Sequence, residues 1–434
     1  MKAFRKNSIR SLSALLVFLT LFSVLSLPVS ASVPSAEGCT SAILYNINNE
    51  KLLFSKDPDR EIYPAATVKL MAGLMFCEAL SERLSEKIVL TAEMLKGAEG
   101  RRFQLAAGQT LTIKDLLYIA ICGSFNDAYT ALAVIVGGSS DNFVEEMNKK
   151  AKELGASSTN FTNVTGMHSK NMVTSARDVL KISLAAAEND LFVNISSTYT
   201  YIVNFKGGST RTVENRNMLH VPKDYGSEWY NSHAFGLCSG MTDEGGYCLS
   251  TKGVFGDAEY ICIVMGAEEN REYELATELL SWASENYSLF TLKKQGEKVG
   301  YIPVILSGTH TQTALRLEEN ICVLLEKDTA QDADYKYVLS LDKETLPAPV
   351  EKGERVGYMN VWKDGYLIAC VGVIVSESIE KNPFLAFMEN IKSFLVGRTL
   401  RASLVFLAII IVIMLVISYI KPKIRRKKYR VRLR

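Results

Sequence analysis

Apolar residues fall into two kinds of run along this chain. The first kind has helical character. Leu70-Met71-Ala72-Gly73-Leu74-Met75-Phe76 is apolar on every side and predicts a helix buried all round, entered at Pro64 and ending near Ser81. Pro64 suits the first turn because it has no N–H to lose. Phe143, Met147, Ala151 and Leu154 recur at helical spacing up to Gly155, so a helix is expected to start at Ser140 or Asp141. Residues 126–136 predict another helix, stopped by Gly137-Gly138. Thr112 caps a helix rich in Leu and Ile that leads to Ser124. Leu275, Leu279 and Trp282 share one face of a helix expected over 272–287.

The second kind reads as strand. Residues 41–45 and 52–55 pair across a turn at 46–50, and 198–205 with 210–214 form a hairpin about Gly207-Gly208. Residues 236–240, 248–251 and 260–266 supply an antiparallel core sheet. Helices packed on such a sheet make an α+β domain, placed at 37–290. Beyond Lys293 the pattern changes to short strands at 299–306, 321–325, 335–341, 355–361 and 366–375. Lys363-Asp364-Gly365 has hairpin-turn chemistry. A small all-β domain is expected over 293–382. No internal repeat or low-complexity stretch is visible.

Both termini change the picture. Lys2, Arg5, Lys6 and Arg10 precede a mostly apolar stretch, and Val29-Ser30-Ala31 offers a small-residue cleavage site, so 1–31 is expected to be a secretory signal peptide. Residues 402–420 carry no charge and approach the length needed to cross a bilayer. Phe384, Phe387, Met388, Ile391, Phe394 and Leu395 give 383–401 an amphipathic stripe, which suits a membrane surface or the β domain equally. The tail 421–434 holds nine Lys or Arg and no acid, so it is expected to stay cytoplasmic, with the body outside and one span between. Thirteen of the 49 Lys and Arg lie in these two end segments. The remaining 36 face 47 acids, so the body is acidic, which argues against a nucleic-acid partner. The eight cysteines form no Cys-x-x-Cys pair and no metal-ligand spacing. The four histidines are scattered, so neither a metal nor a cofactor is expected. Most cysteines read as buried thiols; Cys238 and Cys248 lie close enough in sequence for a disulfide to be considered.

One charge interrupts the buried helix. Lys69 stands inside an apolar wall, where an ammonium requires a partner or a task. Pro64-Ala65-Ala66-Thr67-Val68-Lys69 resembles the Pro-Ala-Ser-x-x-Lys entry of the serine-type D-alanyl-D-alanine carboxypeptidases, the low-molecular-mass penicillin-binding proteins. Ser124-Phe125-Asn126-Asp127-Ala128 resembles their Ser-Gly-Asn-Asp-Ala. Gly236-Leu237-Cys238-Ser239-Gly240-Met241-Thr242, followed by Gly245-Gly246-Tyr247, resembles their Gly-x-Lys-Thr-Gly-x-Thr strand. Thr165-Gly166-Met167, Thr174-Ser175-Ala176-Arg177-Asp178 and Asn215-Arg216-Asn217-Met218-Leu219 add further landmarks, and the similarity spans roughly 37–382. It implies a penicillin-binding/β-lactamase-like α+β domain, a small β domain that lifts it off the membrane, and a cell-wall setting.

The resemblance also shows what is missing. Ala66 stands where the family has its nucleophilic serine, and a methyl group attacks nothing. Thr67 is the nearest hydroxyl, but it lies about 200° around the helix from Lys69. Cys238 replaces the lysine that would attract a substrate carboxylate, and Phe125 replaces a small residue and is expected to crowd the cleft. The retained catalytic positions are Lys69, Ser124 and Asn126. The substrate-facing strand contributes Cys238, Ser239, Gly240 and Thr242. Three readings follow. The protein binds peptidoglycan stem peptide or a wall-synthesis protein without acylation; it hydrolyses through a Ser124–Lys69 dyad or a Cys238 thiolate; or it is a scaffold with a closed cleft. The plainer roles are a Lys69 charge satisfied by Asn126 and Ser124, and a Cys238 that fills space left by the lysine.

Overall fold

The computed structural model describes residues 33–205, 208–327, 334–396 and 398–431. The expected signal peptide at 1–31 lies outside them, as do the last three residues of the basic tail. The chain divides into two compact units. One holds the described residues of Met1–Phe290 and Val323–Asp332, the other those of Thr291–Cys322 and Ala333–Arg434.

In the first unit, β1 (Ser41–Asn46) and β2 (Lys51–Lys56) form the hairpin read from the sequence. Helix α1 (Val68–Leu80) follows a short 3-10 turn at Ala65–Thr67 and is buried on nearly every side, which is why its sequence carries no polar stripe. The short strands β3 (Lys87–Val89) and β4 (Thr110–Thr112) pair with each other. Next comes α2 (Ile113–Leu117), begun by a reciprocal capping box between Thr112 and Asp115. A single π-helical turn, Tyr118–Cys122, then carries the chain to Ser124. Helix α3 (Asn126–Gly137) ends on a left-handed Gly138. Helix α4 (Ser140–Glu153) is capped by Ser139, one residue before the expected start. Helices α5 (Ala176–Ala187) and α6 (Asp190–Ser197) follow, capped by Ser175 and Asn189. Strands β5 (Thr200–Asn204) and β6 (Thr210–Glu214) form a hairpin.

The core sheet adds β7 (Ala234–Thr242), β8 (Gly246–Phe255) and β9 (Ala258–Ala267) in the order β2-β1-β9-β8-β7, antiparallel throughout. It is covered on both faces. Ile261, Ile263 and Met265 point into one cluster with α1, α3 and α5. Tyr260, Cys262 and Val264, the alternate residues, point into a second cluster with Leu275, Leu279 and Trp282 of α7 (Arg271–Asn286). Period-two alternation between two cores explains why β9 reads as an unbroken apolar run. Leu324 is buried in that second cluster and its N–H donates to Asn49 Oδ1 at 2.5 Å. This is why Val323–Asp332 groups with the first unit and not with the β domain, where the sequence reading had placed it.

The second unit is the expected β domain. The strands after α7 are β10 (Tyr287–Lys293), β11 (Lys298–Ile305), β12 (Gln312–Leu317), β13 (Ile321–Glu326), β14 (Lys336–Leu341), β15 (Leu346–Pro347), β16 (Arg355–Lys363) and β17 (Tyr366–Val375), of which β10 and β13 belong in part to the first unit. Six of them form a sheet in the order β14-β16-β17-β12-β11-β15, with Ile302, Leu315, Leu317, Val361, Val373 and Val375 in its core. Helix α8 (Pro383–Val396) and helix α9 (Arg398–Val431) follow. Phe384, Phe387 and Met388 are exposed on α8. Ala402–Tyr419 of α9 is long and apolar enough to cross a membrane, and none of it is buried.

Candidate functional site

The site is assembled where the start of α1, the turn before α3 and the strand β7 converge. Two residues there hold backbone conformations that side chains disfavour: Ala65 with φ +44° and Ser124 with φ +56°. Such strain costs on the order of 1–3 kcal/mol per residue and concentrates at functional sites. The Ala65 turn is packed closely from outside. Gly166, at φ +78°, lies so near the Ala65 carbonyl that a Cβ there would overlap it. On the inner side, Gly240 of β7 sits against Ala66, where an added Cβ would stand 2.5 Å from the Ala66 methyl.

Ala66, Lys69, Ser124, Cys238 and Ser239 line one cavity, joined by Tyr129, Asn215, Arg216 and Asn217 among others. Its volume is about 10 Å³, room for about one water. Lys69 is 7% exposed. Its ammonium donates to the Ser124 carbonyl at 2.8 Å and to Ser124 Oγ at 3.0 Å, and lies 5.2 Å from the Tyr129 ring centre. Burial, helped by the nearby Arg101 cation, brings its pKa down to about 7. The residue is therefore a partly neutral amine in contact with a hydroxyl, able to take or return a proton.

Other expected roles change. Asn126 does not partner Lys69. Its Nδ2 donates to the Glu99 carbonyl at 2.6 Å, and its buried Oδ1 has no partner among the described residues. Asn126, Gly240 and Thr242 are not among the residues lining the cavity. Thr242 Oγ1 instead accepts from Gly245 N at 2.9 Å and shapes the β7–β8 turn. Phe125 does not fill the cavity. It leans the other way, 5.1 Å from the Phe103 ring and 4.4 Å under the Arg101 guanidinium, because those groups offer an aromatic and a cationic face. Cys238 is a poor thiolate, since burial pushes its thiol up to about 12 against the opposing pull of Lys69. Cys238 and Cys248 are both free thiols, so the disulfide considered from the sequence does not form. Ser239 Oγ shares a 2.7 Å hydrogen bond with the Tyr273 hydroxyl. Thr67 turns back to the Pro64 carbonyl at 2.6 Å, away from Lys69 as expected.

Arg216 is the functional-site residue whose role the linear pattern did not reveal. The amides on either side of it are clamped. Asn215 Nδ2 donates to the Ser196 and Thr198 carbonyls at 2.8 and 2.7 Å, and Asn217 Nδ2 to the Gly236 carbonyl at 3.3 Å. His220 adds a 3.0 Å bond from Nε2 to the same Gly236 carbonyl; burial brings its pKa down to about 4, so it is neutral. Asn215-Arg216-Asn217 stood out in the sequence, but only folding brings its arginine to the cavity of Lys69 and Ser124.

Residues 28–269 match the D-alanyl-D-alanine carboxypeptidase family, and residues 287–381 match the C-terminal domain of penicillin-binding protein 5. D-alanyl-D-alanine carboxypeptidase DacF of Bacillus subtilis is 29% identical over 359 residues, 82% of this chain and 89% of that protein. The D-alanyl-D-alanine endopeptidase of Escherichia coli is 31% identical over 231 residues, 52% of this chain and 71% of that protein. In fold, the chain is similar to penicillin binding protein 5 from Haemophilus influenzae (TM-score 0.65, 24% identity, covering 81% of this chain and all of that one). It is also similar to a peptidoglycan synthesis regulatory factor from Streptococcus pneumoniae (TM-score 0.68, 21% identity, covering 79% of this chain and 99% of that one). With its motifs in family order around one cavity and a family match over more than half its length, the chain belongs to the D-alanyl-D-alanine carboxypeptidase family.

Proposed function

We propose that this protein is a membrane-anchored member of the family that binds peptidoglycan stem peptide, or a wall-synthesis protein, without being acylated. One observation carries the reading: the helix start that should present an oxygen to Lys69 presents the Ala66 methyl. Acyl transfer needs an attacking atom and room for a tetrahedral carbon beside it. A cavity of about 10 Å³ supplies no such room. A ligand would therefore sit at the mouth of the cleft, over the Ser124 turn and β7. The apolar 402–420 segment and the basic tail support an anchor, with the two folded units outside the cytoplasm.

A second reading has its own support. Ser124 Oγ lies 3.0 Å from a Lys69 whose pKa falls to about 7, the pairing a serine–lysine hydrolase needs. Against it, Ser124 is itself buried in the same confined space. The two part in one experiment. A stem pentapeptide ending in D-Ala-D-Ala is titrated calorimetrically into the purified protein, and the mixture is then assayed for free D-alanine. Binding with no D-alanine released is the expected result. Release that disappears in Ser124→Ala would establish the hydrolase, and neither binding nor release would leave a scaffold.

A further inference from the structure

The second unit holds a cavity of its own. It measures about 440 Å³ and is lined by Asp334, Lys336, Val338, Trp362, Asp364 and Gly365, which puts it in the size range of small-molecule sites. Lys336 of the edge strand β14 pairs with Trp362 of β16, and Val338 with Asn360, so these side chains share one face of the sheet. It is the face turned away from the core, because the alternate residues Met359 and Val361 are the ones buried there. The turn Lys363-Asp364-Gly365 closes the corner. Asp364 and Gly365 hold φ of +51° and +82°, the two left-handed residues that a tight hairpin turn requires, and this sets Asp364 beside the same cavity.

The protein makes no use of these groups. Among the described residues, the side chains of Asp334, Lys336, Trp362 and Asp364 have no hydrogen-bond, ion-pair or ring partner. An indole face with free carboxylates and an ammonium around it matches the chemistry of a sugar ring. The ring's C–H face stacks on the indole, while its hydroxyls donate to carboxylates and accept from the ammonium. Two carboxylates against one ammonium disfavour an anion, so the matching ligand is neutral. Val338 adds methyl groups to the lining, against which the acetyl of an N-acetylated sugar can be buried; a plain hexose has nothing apolar to place there. The same face runs on along β16 through Asn360, whose Nδ2 donates to Ser340 Oγ at 3.0 Å, to the exposed ring of Tyr358. Four residues of strand put Tyr358 about 13 Å from Trp362, a length that suits a chain of sugars and not a single one.

We propose that this corner of the β domain is a saccharide site for an extended, neutral chain of N-acetylated amino sugars, with Trp362 as its platform, Asp334 and Asp364 as acceptors of hydroxyl protons and Lys336 as a donor. The site lies in the other unit from the cleft and does not depend on what the cleft binds. It gives the protein a hold on the sugar strand that carries stem peptides, separate from any hold on the peptides themselves.

The test is calorimetric titration of the full-length protein, in a detergent without a sugar headgroup, with N-acetylchitotetraose and with cellotetraose. The two probes share length and linkage and differ in the acetamido groups. Wild type should bind N-acetylchitotetraose about tenfold more tightly than cellotetraose. Trp362→Ala should weaken that binding about tenfold. Asp364→Asn should weaken it about threefold while keeping the turn, since Asn tolerates the left-handed backbone. Circular dichroism melting checks that both variants fold. An excess of stem pentapeptide should leave the sugar affinity unchanged, so the fate of the cleft reading does not decide this one. The proposal is overturned if wild type binds no N-acetylchitotetraose at millimolar concentration, if it binds both probes equally, if both folded variants keep wild-type affinity, or if the pentapeptide competes with the sugar.

Discussion

Lys69 is the residue at which the physics of the site is most readily measured. Its amine titrates near 7 in the folded protein and at the ordinary lysine value when unfolded. Between those two pH values this amine holds more proton in the unfolded chain than in the native one, so its own contribution to stability rises with pH. Protonation below about 7 imposes the full penalty of burying the charge. From pH 7 to 8.5 this single group should add about 1.5 kcal/mol. The buried thiols and tyrosines, whose values are raised, oppose the trend only above about pH 9. Lys69→Met should therefore flatten the stability profile between pH 7 and 8.5 in urea titrations, relative to wild type. An unchanged slope would mean that Lys69 is charged and fully paired. The sequence singled out this lysine because a charge inside an apolar helix is visible in one dimension. It did not show which groups meet the ammonium: Asn126 was expected to help, and the Ser124 carbonyl does so instead. Arg216 was harder still, because its role depends on what surrounds it and not on what precedes or follows it in the chain.

At the scale of elements, local chemistry and packing divide the work. The Thr112 capping box starts the helix that delivers Ser124. Thr112→Ala should cost about 1 kcal/mol and lower the melting temperature by a few degrees, without altering the core. Gly240 answers to packing. Its ideal Cβ would lie 2.5 Å from the Ala66 methyl, and both atoms are fixed to backbone. Gly240→Ala should destabilise by about 1–3 kcal/mol, read as a lower urea midpoint with an unchanged slope. A neutral substitution there would show that β7 and the start of α1 are free to separate. The strands and the helices with clean periodicity were legible in the sequence. Helices α5 and α6 were not assigned, although Ser175 and Asn189 cap them and the buried Val179, Ile182 and Ala186 of α5 recur at helical spacing, so their signal was present in the chain and went unread. Strand β12 was also missed. It is a six-residue strand whose exposed positions are polar, and turn chemistry alone does not mark its ends.

For the whole molecule, the α+β fold with its β domain was legible because motif order and a change of periodicity near Lys293 both survive in one dimension. The closed floor of the cleft was not, since it arises from elements far apart in sequence meeting around about 10 Å³. The anchor is testable separately. A chain ending before Pro383 lacks both α8 and α9, and should move from the membrane pellet to the soluble fraction while keeping its folded core; retention in the pellet would assign membrane binding elsewhere. The account rests most heavily on the absence of a nucleophilic oxygen at position 66, and the intact mass of the protein after incubation with excess benzylpenicillin tests this most directly. An unchanged mass is the predicted result, whereas a stable adduct of one penicillin per chain, lost in Ser124→Ala, would contradict it.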